Sequence, residues 1–139
     1  MDDGLDDLIH LADPPGTSDH VVALRVLERP APGGEFLDCE FVVSTSTVTG
    51  SFPVGITSFD LDRWDEALDG LAGNRFVSWL DSGRTVQLKI KPLASGAVGV
   101  TISDALSSQV TVSLPVSPPA DWIDDHRARL AKARELLSD

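Results

Sequence analysis

Tyrosine is absent from this chain of 139 residues, and cysteine and methionine occur once each. A single cysteine cannot form an internal disulfide. Because Cys39 falls on the apolar side of an alternating segment, we expect a buried thiol that behaves as a small hydrophobic residue. The cysteine usage therefore agrees with a cytoplasmic location.

Long apolar runs are also missing. No stretch of the sequence approaches the roughly 18 residues that a membrane helix needs. Met1 is followed by Asp2, Asp3, Asp6 and Asp7, which is the opposite of the basic start of a secretory signal. We therefore expect a cytoplasmic protein that has no membrane partner.

Positive charge is scarce. The chain has 11 basic residues against 22 acidic ones, and its formal net charge is -11. Such a field repels nucleic-acid phosphate and anionic lipid, so we expect no nucleic-acid partner. Two interpretations of this negative charge stay open. One is solubility in an acidic proteome, and the other is attraction to a basic protein partner.

What the sequence does contain is a regular alternation of apolar and polar residues, which predicts strands with one buried face. The predicted strands cover residues 7–11, 21–27, 35–44, 50–57, 75–80, 84–91, 98–103 and 109–116. The apolar side includes Leu37, Cys39, Phe41, Val43, Phe52, Val54, Ile56, Val86, Leu88, Ile90, Val98, Val100, Ile102, Val110, Val112 and Leu114. Pro53 cannot donate a ladder hydrogen bond, so its strand is predicted at a sheet edge or with a bulge. Gly83 is predicted to supply the positive φ of a short hairpin connection, Asp81-Ser82-Gly83.

Two amphipathic helices interrupt and close this pattern. Ser58 opens the first, whose apolar stripe is Leu61, Trp64, Leu68 and Leu71. Gly73 supplies its end. The second lies within residues 119–137 and begins at Asp121, with His126 and Leu130 on its packed side.

These elements predict an α+β fold in one domain, residues 1–139, with an acidic and disordered start over residues 1–6. We expect seven to eight mainly antiparallel strands forming a β-sandwich or an open barrel. One helix is inserted after strand four, and one C-terminal helix packs against the rest.

Catalytic and metal-binding spacings are missing. His10, His20 and His126 are poorly placed for acid–base work, and His126 is interpreted as a partly buried residue that is hydrogen-bonded to a neighbour. Asp60, Asp62 and Asp65 resemble a calcium loop superficially but lack its glycine and closing glutamate. We therefore expect a protein that is not an enzyme and that carries no metal or cofactor.

The acidic side of the first helix is the candidate partner-binding site. Asp62, Glu66 and Asp69 project together and are flanked by Asp65, with only Arg63 among them to relieve the repulsion between like charges. A solvated helix face without a binding role is the alternative. Trp79 is a further candidate because both faces of its strand carry large apolar residues. In one interpretation a helix covers one face of the strand, which makes the strand central. In the other, that face is an exposed contact surface.

The stretch from Asp60 to Leu71, the stretch from Val77 to Asp81 and the stretch from Trp122 to Arg127 resemble a family of small actinobacterial proteins of unknown function. Distantly, the order of strands and helices also resembles bacterial immunity proteins of the WapI type, which neutralise polymorphic toxins. That resemblance implies a β-rich domain without catalytic activity. The leading hypothesis is therefore a non-catalytic protein-binding domain of the immunity type that masks a basic toxin or effector. The alternative is a structural or adaptor subunit, in which case the chain forms a homodimer or other homo-oligomer.

Overall fold

In the part of the chain that the structure describes, eight strands form two four-stranded antiparallel sheets, and in each sheet the strands follow one another in chain order. The computed structural model describes residues 7–28, 30, 33–81, 86–104 and 108–138. The first sheet contains β1 (Ile9–Ala12), β2 (Val21–Val26), β3 (Phe36–Ser44) and β4 (Thr49–Thr57). The second contains β5 (Val77–Trp79), β6 (Val86–Pro92), β7 (Val98–Asp104) and β8 (Val110–Val116). The predicted α+β class and the antiparallel meander are confirmed.

The alternation in the sequence determines which side of each sheet is buried. In β3, for example, Leu37, Cys39 and Phe41 are buried. The buried faces of both sheets belong to one hydrophobic core, which agrees with a sandwich or open barrel. Val110 departs from the prediction because it is exposed. It lies at the end of the edge strand β8, where Asp104 is its strand partner.

Proline marks a sheet edge as predicted. Pro53 lies in β4, which pairs with β3 and ends the first sheet. Its missing N–H therefore removes no bond from the interior of the sheet. The predicted hairpin between β3 and β4 is also present, closed by a hydrogen bond of 2.8 Å from the N–H of Thr45 to the carbonyl of Val48.

The first helix, α1 (Ser58–Ala72), begins directly at the end of β4. Its N-cap is Thr57, whose hydroxyl accepts from the N–H of Asp60 while the Asp60 carboxylate accepts from the N–H of Thr57. This reciprocal arrangement is a capping box, so Ser58 is the first helical residue and not the cap. The predicted apolar stripe of α1 is buried.

The end of α1 differs in detail from the prediction. Gly73 has a negative φ of -88°, and the left-handed residue is Asn74, with a φ of 61°. The N–H of Arg75 bonds to the carbonyl of Gly70, and that of Asn74 to the carbonyl of Leu71. Asparagine tolerates the left-handed region better than most residues, which is why it can end a helix in this way.

The second helix, α2 (Trp122–Ser138), packs along α1 and against β1. His126, Leu130 and Ala133 are its buried residues. On the other side, α1 approaches β5 closely because Gly70 has no side chain. A Cβ at Gly70 would lie 2.9 Å from Cγ1 of Val77, which is closer than packed carbon atoms approach.

The strand that carries Trp79 is shorter than predicted and is not central. β5 has three residues and lies at the edge of the second sheet. It ends at Trp79 because Leu80 takes a positive φ of 62°, which breaks extended backbone. Gly83 and the acidic start at residues 1–6 lie outside the described residues.

Candidate functional site

The carboxylates of Asp62, Asp65, Glu66 and Asp69 lie on the exposed side of α1, and we call them the acidic helix face. Glu66 lies 3.4 Å from Arg63 within the same helix. The expectation that Arg63 alone relieves the repulsion is wrong, because α2 brings two further arginines to this face.

Arg134 and Arg127 are these arginines. Arg134 Nη2 lies 2.9 Å from Asp62 Oδ1 and 3.5 Å from Asp65 Oδ2. Arg127 Nη2 lies 2.8 Å from Asp69 Oδ1. All of these side chains are well exposed, so each pair contributes no more than about 1 kcal/mol to stability. The ion pairs orient the side chains at the junction of the helices while leaving them in contact with solvent.

The negative surface continues onto α2. Arg127 also lies 4.0 Å from Asp124, whose side chain is 87% exposed. The next residue, Asp125, pairs with Arg129 at 2.8 Å. Asp121 is exposed, and within the described part of the chain no ion pair or hydrogen bond involves its carboxylate. The acidic helix face therefore extends to the first turn of α2.

Trp79 is separate from this surface. Its side chain is buried, with 2% of the residue exposed, and its ring lies 5.0 Å from that of Trp64 on α1. Its indole N–H donates to the carbonyl of Asp60 at 2.8 Å. Of the two interpretations of this strand, the face covered by a helix is the one that the structure supports.

A cavity of about 690 Å³ opens where the β1–β2 connection meets the start of α2, and we call it the proline–tryptophan cleft. Pro14 and Pro15 form one wall, and Pro119 and Trp122 contribute the other. Asp121, Asp125 and Arg129 place charge at the same opening. Trp122 is half-buried, and it also packs against the hydrophobic core.

Hydrogen bonds hold the base of this cleft in place. Asp13 accepts from the N–H of Ser117 at 2.8 Å and from that of His20 at 3.0 Å. His20 Nδ1 donates to the carbonyl of Pro115 at 2.7 Å. These bonds tie the β1–β2 connection to the segment after β8, so the cleft is a property of the folded core and not of a loose loop.

His126 lies directly behind Trp122 and is fully buried. Its Nδ1–H donates to the carbonyl of Trp122 at 2.7 Å, and its Nε2 accepts from the backbone N–H of His10 at 3.0 Å. Burial lowers the pKa of His126, with a smaller lowering from Arg129, and the bond to Trp122 only partly opposes this. His126 is thus hydrogen-bonded to neighbouring residues as predicted, and it is fully rather than partly buried.

Comparison with known proteins gives a family and no activity. A family of unknown function, DUF5959, has a model that matches residues 6–138. The chain belongs to the DUF5959 family. No curated protein and no solved structure matches it. Nothing in these comparisons supports the likeness to WapI-type proteins or an actinobacterial origin.

A second, smaller cavity of this DUF5959 chain has the opposite charge. It measures about 320 Å³ and lies beside the exposed Lys89 and Lys91 of β6. Phe76 and Leu93 contribute apolar side chains to its lining, and the described lining contains no carboxylate. In a chain with a net charge of -11, this is a local reversal of the field.

Metal ligands do not gather within the described residues, where no group of three histidine, cysteine or carboxylate side chains could hold an ion. Nor does that part of the chain contain a helix of the length and apolar character needed to cross a membrane.

Sequence reasoning missed the proline–tryptophan cleft and the arginines at the helix junction. The cleft joins residues more than a hundred positions apart, such as Asp13 and Ser117. A usable signal was nevertheless present, because Pro14-Pro15 follows Asp13 just after β1, and Pro118-Pro119 comes just before Asp121 and Trp122 at the start of α2.

Proposed function

We propose that this chain is a non-catalytic binding protein for a basic protein partner in the cytoplasm, of the immunity type that masks a toxin or effector. The observation that carries the proposal is the exposed acidic surface of the two helices. It includes the acidic helix face together with Asp121, Asp124 and Asp125. Four arginines pair with six of the seven carboxylates on this surface, and Asp121 is the seventh, so the surface remains negative.

A surface of this kind acts mainly on the rate of encounter. Opposite charge steers a basic partner toward the helices and raises the association rate at low salt. Because the ion pairs are exposed, their arginines can exchange a carboxylate for water or for a partner at little cost in free energy. The buried core behind α1 keeps the carboxylates in a fixed arrangement.

The test is a triple variant, Asp62→Ser with Glu66→Ser and Asp69→Ser, measured against a partner recovered by pull-down and identified by mass spectrometry. The association rate should fall at low ionic strength, and its dependence on salt should become flatter. Unchanged association kinetics would eliminate this face as the binding site.

A matched control changes the net charge by the same amount elsewhere. Glu35→Ser, Asp38→Ser and Glu40→Ser remove three carboxylates at and along β3, outside the acidic helix face. The control should slow association much less than the triple variant. Equal slowing by the two variants would mean that overall charge, and not the acidic helix face, governs association.

The converse variant is Arg127→Ser with Arg134→Ser. Removing these cations makes the acidic helix face more negative, so association with the basic partner should become faster at low salt. Since the arginine pairs are exposed, the free energy of unfolding should change by no more than about 1 kcal/mol per pair.

A structural or adaptor subunit that forms a homo-oligomer is the second candidate. The cavity beside Lys89 and Lys91 favours it, because its charge is complementary to the acidic helix face of another copy. Sedimentation velocity over a range of concentrations would then show a dimer that dissociates as salt rises. A monomer at every concentration and salt level would exclude this alternative.

A further inference from the structure

Several hydrogen-bond donors of the proline–tryptophan cleft are committed to internal contacts. Arg129 Nε donates to Asp125 at 2.8 Å, and Arg129 Nη1 donates to the backbone carbonyl of Asp7 at 3.0 Å. The N–H of Ser117 is bound to Asp13, and that of His10 to His126. Prolines have no N–H at all, so the three prolines of the lining add no donor.

In contrast, the cleft has charged acceptor atoms, carboxylate oxygens, that make no internal contact in the described part of the chain. The carboxylate of Asp121 has no ion pair or hydrogen bond within the described residues, and it stands at the cleft opening. Asp125 uses Oδ2 for Arg129. Its N–H donates to the carbonyl of Asp121 at 3.1 Å, so the two carboxylates lie one helical turn apart on the same side of α2. A ligand that brings donors and positive charge complements these two carboxylates.

An aromatic ring lies beside these carboxylates. The Trp122 ring contacts the ring of His126 edge to face, with centroids 5.5 Å apart and an interplanar angle of 82°. Because His126 is itself fixed by two hydrogen bonds, the indole is held in place before any ligand arrives. Tryptophan is the aromatic side chain that cations prefer, and planar guanidinium groups stack on it.

We propose that this cleft receives an arginine side chain of the basic partner, with the guanidinium against Trp122 and its N–H groups donating to Asp121 and Asp125. This inference rests on the proposed function. A guanidinium has five donors in a fixed fork, which suits two carboxylates better than the compact ammonium of lysine. The cavity of about 690 Å³ admits the side chain together with the peptide backbone that carries it.

The probe is N-acetyl-L-arginine methylamide, titrated into the ¹⁵N-labelled full chain. Amide signals of Ser117, Asp121 and Asp125 and the indole N–H signal of Trp122 should shift together. The indole signals of Trp64 and Trp79 should stay in place because both rings are buried in the core. The citrulline analogue, which has the same shape and no charge, should bind at least about tenfold more weakly. The lysine analogue should bind more weakly than the arginine probe.

Asp121→Asn is the test variant, since its carboxylate is exposed and supports no internal contact of the fold. It should weaken the arginine probe by about fivefold and leave the melting temperature unchanged. Asp38→Asn, an exposed carboxylate on β3, is the matched control and should change binding by less than about twofold.

Three results would overturn the assignment. These are equal binding of the citrulline analogue, equal binding of the lysine analogue, and an Asp121→Asn variant that binds the probe as the parent does. Failure here is distinguishable from failure of the proposed function, because Asp62, Glu66 and Asp69 do not line the cleft. A partner could still be steered by the acidic helix face without inserting an arginine.

Discussion

The indole rings of Trp64 and Trp79 lie 5.0 Å apart at an interplanar angle of 41°, and both are buried between α1 and the edge strand β5. Their ring nitrogens have different environments. That of Trp79 donates to the carbonyl of Asp60, whereas that of Trp64 is buried with no hydrogen-bond partner among the described residues.

This difference predicts an order of stability for two matched variants. Trp64→Phe removes a buried N–H that has no hydrogen-bond partner in the described part of the chain and that therefore destabilises the fold, whereas Trp79→Phe removes an N–H that is hydrogen-bonded. Trp79→Phe should therefore destabilise the fold by about 1–3 kcal/mol more than Trp64→Phe, as measured by urea denaturation. Equal losses would show that the Trp64 nitrogen is satisfied in solution.

Complete truncation of the first ring should be costly. Trp64→Ala should reduce the free energy of unfolding by about 3–5 kcal/mol, because it removes a fully buried ring and leaves a cavity. A small change in the denaturation midpoint would contradict the position of Trp64 in the core.

The capping box at the start of α1 allows a comparison of neighbouring residues. Thr57→Ala removes the hydroxyl that accepts from the N–H of Asp60 and should cost about 1 kcal/mol. Ser58→Ala changes the exposed first helical residue and should alter stability by less than about 0.5 kcal/mol. The two variants differ by one position, so a larger loss in thermal stability for Ser58→Ala than for Thr57→Ala would place the N-cap at Ser58 instead.

The buried His126 predicts a dependence of stability on pH. Because its pKa is lowered in the folded state, the unfolded chain binds a proton at a higher pH than the folded one does. The contribution of neutral His126 to stability is thus present above about pH 6.5 and is lost as pH falls through the folded pKa, by up to about 1.4 kcal/mol per pH unit. Protonation would also remove the Nε2 acceptor of the His10 N–H.

Urea denaturation between pH 8 and pH 5 would measure this slope. His126→Gln should be less stable than the parent at pH 8, and the difference should shrink toward pH 5. His10→Gln, which changes an exposed side chain and keeps its backbone N–H, should retain the parent slope. The same slope in all three proteins would assign it to other groups.

The thiol of Cys39 should be unreactive in the folded protein. Burial, with a smaller effect from Asp38, raises its pKa to about 12, so little thiolate exists at pH 8. Labelling with a thiol reagent should proceed only through unfolding, and Trp64→Ala should accelerate it. Rapid labelling of the folded parent would contradict the burial of β3.

Much of this architecture was predictable because its signals are local. The alternation around Leu37 and Phe41 specifies which face of β3 is buried, and Pro53 restricts its strand to a sheet edge or a bulge because it lacks an N–H. The stripe of α1 and the buried position of His126 follow from helical spacing. Such patterns involve residues only a few positions apart, and their period matches that of the strand or helix that the backbone forms.

The surroundings of the candidate site were not predictable in the same way. Asp69 and Arg127 are 58 residues apart, and Asp62 and Arg134 are 72 residues apart. No period in the sequence indicates that these pairs meet, since they depend on how α2 lies along α1. Whether Trp79 is buried or exposed was ambiguous for the same reason. Its ring is covered by α1, and the sequence of its own strand does not indicate that contact.

The sequence alone thus determined where strands and helices form and which of their faces are apolar, since backbone preference and side-chain period act over a few residues. Tertiary packing decided that arginines of α2 join the acidic helix face, that the Trp79 ring is covered by α1, and that Trp122 and Asp121 meet Pro14 and Pro15 at one cleft. Those contacts join distant segments, and they exist only because burial of one shared core fixes the two sheets and two helices in a single arrangement.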